Sequence, residues 1–361
     1  MCLTEVVIDR IRREGPISFH DFMEMALYHP DQGYYTSTRE KLGKAGDFYT
    51  SPYLGALFGE MIAGQLEEMW QLLDRKPFTI IEQGAGTGLL CRDILHRLQL
   101  NSEMYRHLNY IIIEKSRPRS PLPEKLEWRD SIEGLGPVTG CIFSNELLDN
   151  FAVHQVIMQG ELMEVFVDYQ DGFVEILRPA APVLTEYFRQ LRVDLPRGYR
   201  TEVNLEAIDW IRTISEKLKR GFVMTIDYGY PSSDLYSHSK SSGTLVCYHR
   251  HQINHSPYER VGEQDITTHV NFSALDHWGR NNGLDYCGYT NQTFFLQGLG
   301  LARYLRNLEE NGQYKSAVEQ EKFLIIRTLL MEMGNRFKVL IQKKGIRQAW
   351  LSGLQFPQRL T

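Results

Sequence analysis

The chain has 361 residues, with 40 lysines and arginines against 45 aspartates and glutamates, so its net charge is −5. This length predicts about two domain-sized units or one core with large insertions, and the mildly acidic balance argues against nucleic acid as a partner. No stretch is apolar over the roughly 18 residues that a membrane span requires. The acidic residues near the N-terminus fit neither a secretory signal nor a transit peptide. Five cysteines without a Cys-x-x-Cys pair argue against a disulfide framework, so we expect a cytoplasmic protein with reduced thiols.

The first 75 or so residues are predicted to be mainly helical. Apolar residues recur at helical spacing in the segment 3–11. Ser18, with Asp21 three positions later, resembles a capping box for a short helix. The Ser-Pro pair at 51–52 is typical of a helix start, and an apolar stripe follows it.

From residue 78 onward, short apolar runs alternate with helical segments, which is typical of a parallel sheet with crossover helices. The predicted strands of this sheet are Phe78–Glu82, Tyr110–Glu114, Leu126–Trp128, Cys141–Ser144, Phe222–Asp227, Leu284–Tyr289 and Arg336–Gln342. Turn signals at 159–160 and 171–172 separate strand-like runs and predict an antiparallel insertion. Helices are predicted from Asn204 to Gly221 and near 272–282, and residues 230–270 are predicted to form a long polar loop region.

The sharpest local signal is a glycine-rich loop, Glu82-Gln83-Gly84-Ala85-Gly86-Thr87-Gly88, between a predicted strand and a helix. Its three glycines let the backbone turn tightly and approach a ligand with no side chain in between. A dinucleotide loop, G-x-G-x-x-G, would need its third glycine at position 89, where this chain has leucine. A carboxylate at Glu82 would repel a pyrophosphate but attract an ammonium or sulfonium group.

A second acidic residue, Glu114, ends the next predicted strand. A carboxylate at this place can accept hydrogen bonds from both ribose hydroxyls of an adenosine ligand. It lies 28 residues past Gly86, farther than the roughly 20 residues of a nicotinamide fingerprint. The two acids therefore favour S-adenosyl-L-methionine as the ligand. A nicotinamide or flavin site, and a glycine-rich turn without any ligand, are the alternatives.

The fourth predicted strand runs into Asn145, Glu146 and Asp149. Ligands of open parallel sheets lie beyond the carboxyl ends of the strands, so we expect Asn145 and Glu146 to face the same crevice as Gly86. An amide and a carboxylate there can hold and orient a nitrogen nucleophile. The alternative is a helix N-cap at Asn145, with the acids favoured by the helix dipole.

Seven segments carry a family resemblance: Gly46–Pro52, Glu82–Gly88, Ile113–Ser116, Ser144–Asn150, Ile226–Tyr230, Gly262–Thr267 and Met333–Leu340. In this order they resemble the MidA family of class I S-adenosylmethionine-dependent methyltransferases, which includes the mitochondrial arginine methyltransferase that acts in complex I assembly. The resemblance implies an α/β, Rossmann-like fold with a seven-stranded, mostly parallel sheet. A helical N-terminal region at 1–76 would cover the cofactor site, and the core at 77–361 would carry insertions at about 151–203 and 230–270.

The resemblance also implies residues that hold the cofactor. Gly46, Asp47, Thr50 and Ser51 would lie over its methionine end, with a loop entering a capped helix as the alternative. Asp130 and Ser131 follow the third strand, where the adenine amino group would fall, although a turn explains them equally well. The full predicted cofactor set is Gly46, Asp47, Thr50, Ser51, Glu82, Gly84, Gly86, Gly88, Glu114, Asp130, Ser131 and Asn145.

The implied reaction is methylation of an arginine in a protein substrate, with a subunit like those of respiratory complex I as target. Glu146, Asn145 and Asp149 are the predicted catalytic residues. Methylation of a small molecule or another nucleophile, and a non-catalytic assembly factor that binds the cofactor, are the alternatives. A homodimer is kept open as the oligomeric state. No metal site is predicted, because no cysteine or carboxylate completes a tetrahedral set with His249, His251 and His255.

Overall fold

The structure is a computed structural model that describes residues 1–37, 56–115, 122–250, 252–310 and 334–360. Its helices in these ranges are α1 Leu3–Glu14, α2 Phe19–Tyr28, α3 Ala56–Leu72, α4 Leu89–Leu98, α5 Ser102–His107, α6 Pro182–Leu191, α7 Leu205–Lys217, α8 Ser232–Leu235, α9 Phe272–Asn281, α10 Gln292–Gly298 and α11 Leu301–Glu310. Its strands are β1 Ile17–Ser18, β2 Phe78–Gln83, β3 Leu108–Ile113, β4 Leu126–Arg129, β5 Val138–Asn145, β6 His154–Met158, β7 Leu162–Tyr169, β8 Phe173–Pro179, β9 Arg200–Val203, β10 Leu218–Tyr230, β11 Val246–His249, β12 Gln252–Asn254, β13 Asp265–Thr267, β14 Val270–Asn271, β15 Asp285–Asn291 and β16 Phe337–Lys344. None of the helices in these ranges combines the length and the apolarity that a membrane crossing requires.

The central sheet has the strand order β15-β16-β10-β5-β2-β3-β4, and the short strand β14 pairs with β10. The strands from β10 to β4 are parallel. Strand β16 lies antiparallel between β10 and β15. The α/β architecture expected from the sequence, with a seven-stranded and mostly parallel sheet, is confirmed.

Helices cover both faces of this sheet, which explains why its strands are nearly continuous apolar runs. One core cluster joins α3 and α4 to the sheet and includes Leu66, Ile94 and Phe143. Another joins α7 to the sheet and includes Ile142 and Ile211. Because neighbouring residues of a strand point to opposite faces, Ile142 and Phe143 place the two clusters on opposite sides of β5.

The predicted antiparallel insertion forms a second sheet, in the order β1-β7-β6-β9 with β8 paired to β7. The hairpins turn at Gly160 and Asp171, whose φ angles of 110° and 56° are positive, as tight hairpin turns require. The turn signals in the sequence therefore marked the right positions.

The N-terminal segment joins this second sheet through β1, which pairs with β7. Two residues are too few for a periodic pattern, so the sequence did not reveal this strand. Helices α1 and α2 share one core cluster with β7, and Ser18 caps α2 by accepting a hydrogen bond from the Asp21 amide at 3.0 Å, as expected. The division into regions 1–76 and 77–361 stays a prediction.

Residues 230–270 differ from the polar loop region that the sequence predicted. They contain the three-stranded sheet β12-β11-β13. These strands have only three or four residues each and carry polar side chains, so the sequence shows no apolar alternation there. The helix after Asn204 is also shorter than expected, since it ends at Lys217 and Leu218 already belongs to β10.

Candidate active site

The glycine-rich loop lies where the strand order of the central sheet reverses. Strand β2 has β3 on one side and β5 on the other. Chain connections on opposite sides of such a point leave a crevice at the carboxyl ends of the strands, where ligands of open α/β sheets bind. The loop follows β2, Glu114 follows β3, and Asn145 ends β5. The sequence had placed these groups at one crevice, and the sheet brings their strands together.

The loop glycines adopt backbone angles that other residues rarely do. Gly84, Gly86 and Gly88 have φ angles of 73°, 54° and 74°. A Cβ atom on Gly84 would lie 2.9 Å from Leu147 Cδ1, whereas one on Gly86 would have nothing within 4 Å. Gly84 is therefore needed for close packing within the loop. Gly86 leaves an open concave backbone that a ligand can approach.

Glu114 is held against this loop. The Gly86 amide donates a hydrogen bond to Glu114 Oε2 at 2.9 Å, and the Gly84 amide donates to the Ile113 carbonyl at 2.9 Å. A carboxylate has about four lone-pair positions, so the bond from Gly86 leaves capacity for further donors such as a ribose diol. The contact places the acid beside the loop, and the binding of one ligand by both stays a prediction.

Glu82 is buried below the loop and is 2% exposed. The Tyr110 hydroxyl donates a hydrogen bond to Glu82 Oε2 at 2.5 Å. Burial raises the pKa of Glu82 to about 7; the Tyr110 hydrogen bond opposes this rise and the charge of Glu114 adds to it. The pKa of Glu82 is thus close to neutral pH. A positive charge near the glycine loop would favour the ionised form of this carboxylate.

The other predicted cofactor residues fall into two groups. Asp130 and Ser131 are exposed directly after β4. The Glu114 amide donates to the Arg129 carbonyl at 3.0 Å, so this turn lies beside the acid. Ser131 Oγ accepts a hydrogen bond from the Glu133 amide at 3.1 Å, which is the turn geometry kept as an alternative. The segment with Gly46, Asp47, Thr50 and Ser51 lies outside the described residues.

Asn145 and Glu146 contact each other at the end of β5. Asn145 Nδ2 donates to Glu146 Oε1 at 3.1 Å, and the Glu146 amide donates to the Ile226 carbonyl at 2.9 Å. Glu146 has a φ of 53°, in the left-handed region that a residue with a side chain enters only at a cost. Asn145 Oδ1 is buried and has no hydrogen-bond partner among the described residues. The chain holds an acceptor and a carboxylate in a strained turn beside the crevice.

Asp227 fixes this turn, and the sequence reasoning gave it no role. Its Oδ2 accepts hydrogen bonds from the amides of Leu147 and Leu148 at 3.2 and 2.8 Å. Its Oδ1 accepts from the Tyr228 amide at 2.8 Å. Burial raises the pKa of Asp227 and the charge of Glu146 adds to the rise, while these backbone hydrogen bonds oppose it. An acid at the end of a strongly apolar predicted strand was the available signal.

Asp149 and Asp265 complete a group of four carboxylates with Glu146 and Asp227, which we call the acidic pocket. Asp149 is 4% exposed, and its Oδ1 has no hydrogen-bond partner among the described residues. Burial raises the pKa of Asp149 well above its usual value, and the charges of the other three acids raise it further. Asp265 lies on β13, within the region predicted to be a loop.

Tyrosines line the acidic pocket. The Tyr35 hydroxyl lies 2.8 Å from both Asn150 Oδ1 and Asp265 Oδ2. The rings of Tyr28 and Tyr35 stack with their centroids 5.5 Å apart. Aromatic rings beside carboxylates form an environment that attracts a cation. Tyr34 packs edge-on against Tyr35, with the ring centroids 5.0 Å apart.

The loop histidines form no metal centre in the described part of the chain. His249 Nδ1 lies 3.0 Å from the Glu263 carbonyl, and His255 Nδ1 lies 3.1 Å from the Leu245 carbonyl. Across the described residues, no group of three histidine, cysteine, aspartate or glutamate side chains could hold a metal ion. His251 lies outside them.

Comparison with known proteins gives the family. A model of S-adenosyl-L-methionine-dependent methyltransferases matches residues 61–290. Curated relatives include the protein arginine methyltransferase NDUFAF7 homolog, mitochondrial, of Drosophila melanogaster, which is 26% identical over 95% of this chain and 85% of that protein. The Homo sapiens protein arginine methyltransferase NDUFAF7, mitochondrial, is 25% identical over 91% of this chain and 80% of that protein. A Burkholderia thailandensis structure with bound S-adenosyl-homocysteine is 29% identical, with a TM-score of 0.87 over 99% of this chain and 95% of that one.

These names correct one expectation from the sequence. The curated relatives are named as mitochondrial proteins, which contradicts the cytoplasmic location. The expectation rested on the N-terminal composition and on the reduced cysteines. Free cysteines do not distinguish the cytosol from other reducing compartments.

The residues present fit the cofactor of this family. The open backbone at Gly86 can receive a ligand, Glu114 has acceptor capacity beside it, and the buried Asn145 Oδ1 lacks a partner among the described residues. When bound, S-adenosyl-L-methionine supplies the methyl group that is transferred. The family match covers well over half of the chain, and the strand order agrees with it. The chain therefore belongs to a family of S-adenosyl-L-methionine-dependent methyltransferases, with the class I fold.

Proposed function

We propose that the chain is a protein arginine N-methyltransferase whose acidic pocket binds the guanidinium group of its target. The observation that carries the proposal is the convergence of Glu146, Asp149, Asp227 and Asp265, three of them on or next to the carboxyl ends of β5 and β10. The charges of the other three acids raise the pKa of the buried Asp149, and a buried group of carboxylates is costly unless a cation neutralises it. A guanidinium is the side-chain cation that binds carboxylates through two parallel hydrogen bonds.

The chemistry of arginine explains why its guanidinium must be held between carboxylates, an arrangement that we call the clamp. A guanidinium has a pKa near 13.8, so its neutral fraction at pH 7 is roughly 10⁻⁷. Deprotonating it before the transfer would cost about 9 kcal/mol. A less costly route keeps the cation, fixes it between carboxylates and removes the proton as the methyl group arrives.

Each proposed residue has a distinct part in this route. Glu146 accepts two hydrogen bonds from the guanidinium and takes the proton as the new bond forms. Asn145 orients Glu146 through the hydrogen bond between their side chains. Asp149, whose Oδ1 has no hydrogen-bond partner among the described residues, supplies a second carboxylate to the cation. Asp227 positions the turn that carries these groups, through its bonds to the amides of Leu147 and Leu148.

The relatives support the same assignment, since those quoted above are named as protein arginine methyltransferases. Their identity to this chain, 26% and 25%, leaves the particular target protein to experiment. The net charge of −5 favours a protein over nucleic acid as partner. A homodimer is a separate prediction, which light scattering of the purified chain tests.

Methyl transfer into cell extract tests the proposal. The purified chain is incubated with extract and S-adenosyl-L-methionine labelled in its methyl group. Gly86→Val, once calorimetry has shown that it does not bind the cofactor, is the matched control. Labelled protein is separated on a gel and hydrolysed, and its amino acids are chromatographed. Labelled methylarginine, absent with the control, is the expected result. Label in methyllysine alone or in a small molecule would reject the arginine assignment, and no label above the control would reject catalysis.

A further inference from the structure

Three positively charged side chains, Lys240, Arg336 and Lys338, lie around one exposed end of β10 and β16; we call them the cationic cluster. Lys240 Nζ lies 4.1 Å from the centroid of the Tyr230 ring, and Lys338 Nζ lies 5.8 Å from it. The Tyr230 ring contacts His269 with centroids 5.2 Å apart. The charges of all three cations act on His269. The function proposed above uses none of these groups.

The cationic cluster is next to the acidic pocket. Tyr228 lies two residues before Tyr230 on β10, so both side chains point to the same face. Burial raises the pKa of Tyr228, and the charges of Glu146 and Asp149 raise it further. Between β13 and β14, the amide of Thr268, the residue before His269, donates to the Asp149 carbonyl at 3.0 Å. Two strand residues span roughly 7 Å, which is the rise from Tyr228, beside the acidic pocket, to Tyr230, beside the cluster.

Among the described residues, the positive charge of the cluster has little compensation. No carboxylate in the described ranges forms an ion pair with Lys240, Arg336 or Lys338. The two lysine ammonium groups donate instead to backbone carbonyls, Lys240 to Asp234 at 3.0 Å and Lys338 to Asn335 at 2.7 Å. The Asp234 carboxylate acts on Lys338 only from beyond ion-pair distance.

His269 adds an unused polar atom at the same place. Burial and the three cations lower its pKa to about 4, so the ring is neutral at pH 7. Its Nδ1 is buried and has no hydrogen-bond partner among the described residues. A site with excess positive charge and an unused ring nitrogen is suited to an anionic group.

We propose that the cationic cluster binds an aspartate or glutamate side chain of the protein substrate, two or three residues from the target arginine. This inference rests on the proposed arginine methyltransferase activity and adds a requirement on the substrate sequence. An extended peptide advances about 3.3 Å per residue, so two or three of its residues match the rise from Tyr228 to Tyr230. Adjacent patches of opposite charge select a substrate with the complementary pair of charges.

The test uses the full chain and the methylarginine sites that it forms in cell extract, mapped by mass spectrometry. We expect each site to have an aspartate or glutamate two or three residues away. A substrate protein carrying one mapped site is then purified with that acid and with its amide. The amide form should raise KM at least tenfold and change kcat less than about twofold, because the cluster binds the substrate without touching the reacting atoms.

Two variants assign the effect to the cluster. Lys240→Gln and Lys338→Gln should each reduce the discrimination between acid and amide forms, whereas Lys219→Gln, exposed at the other end of β10, should leave it unchanged. Affinity for S-adenosyl-L-methionine should not change in either variant. Mapped sites without an acidic neighbour, an unchanged KM for the amide form, retained discrimination in both variants, or a loss of cofactor affinity would each overturn the inference. Absence of any methylarginine would reject the proposed function itself.

Discussion

The backbone amide of Gly86 donates a hydrogen bond to Glu114 Oε2 at 2.9 Å, although the two residues are 28 positions apart in the chain. This contact joins the loop after β2 to the end of β3 and places a carboxylate beside an open stretch of backbone. The contact thus fixes the loop and the acid relative to each other on one side of the crevice.

Gly86→Val should abolish cofactor binding and leave the fold largely intact. A branched side chain would enter the open backbone and strain a φ of 54°, but it would meet no protein atom within 4 Å. Titration calorimetry with S-adenosyl-L-methionine measures the loss. Gly198→Val is the matched control, since Gly198 also has a positive φ, 85°, and open space around it. Binding by Gly86→Val within a few-fold of the parent would show that the loop is not the cofactor site.

Glu114→Ala should weaken cofactor binding by about 1.5–3 kcal/mol, the range for hydrogen bonds to a charged group. This corresponds to roughly ten- to a hundred-fold in Kd. The loss should be equal for S-adenosyl-L-methionine and S-adenosyl-L-homocysteine, because both carry the same ribose. Calorimetry with both ligands checks it, with the exposed Glu124→Ala as control. Unchanged affinity would show that a residue other than Glu114 binds the ribose.

Glu82→Gln should change how stability depends on pH. The pKa of Glu82 is raised from its usual 4.5 to about 7, so the folded chain binds this proton more tightly than the unfolded chain. The resulting stabilisation is fully present below about pH 4.5 and is lost as the pH rises through 7. The difference corresponds to ~3 kcal/mol.

Urea unfolding of the parent and of Glu82→Gln between pH 4.5 and pH 8 measures this contribution. The free energy of unfolding of the parent should fall more steeply with rising pH than that of the variant. The exposed Glu161→Gln should follow the parent. Parallel curves for the parent and Glu82→Gln would mean that Glu82 titrates equally in both states.

Glu146→Gln should keep cofactor affinity and lose at least a hundred-fold in methyl transfer. The amide retains the shape of Glu146 and can still accept the hydrogen bond from Asn145 Nδ2, but it cannot neutralise the guanidinium or take its proton. Labelled transfer to a protein substrate measures the rate, and calorimetry measures the affinity. Exposed Glu263→Gln serves as control.

The same assay tests the need for a planar cation. A substrate with lysine in place of the target arginine should not be methylated. An ammonium lacks the planar pair of N–H donors that binds a carboxylate through two parallel hydrogen bonds. Near-parental turnover by Glu146→Gln, or equal methylation of the lysine substrate, would be incompatible with the proposed clamp.

The sequence determined the elements of the central sheet and the position of the glycine loop. Apolar runs such as Phe222–Asp227 predict buried strands because a sheet covered on both faces needs apolar residues throughout. The loop was recognisable because positive φ angles at Gly84, Gly86 and Gly88 are a local steric requirement. Signals of this kind depend only on residues close together in the chain.

The tertiary structure alone decided the composition of the acidic pocket. Asp227 and Asp265 come from β10 and β13, and Tyr35 contacts Asp265 across 230 positions of the chain. No spacing in the sequence encodes such contacts, because they arise from how the sheets and the N-terminal segment pack. The strands β11 to β13 were missed for a related reason, since short polar strands are stabilised by their pairing rather than by their own pattern. Local steric requirements and the periodicity of apolar residues can therefore be recognised in the sequence, whereas the convergence of charges depends on long-range packing.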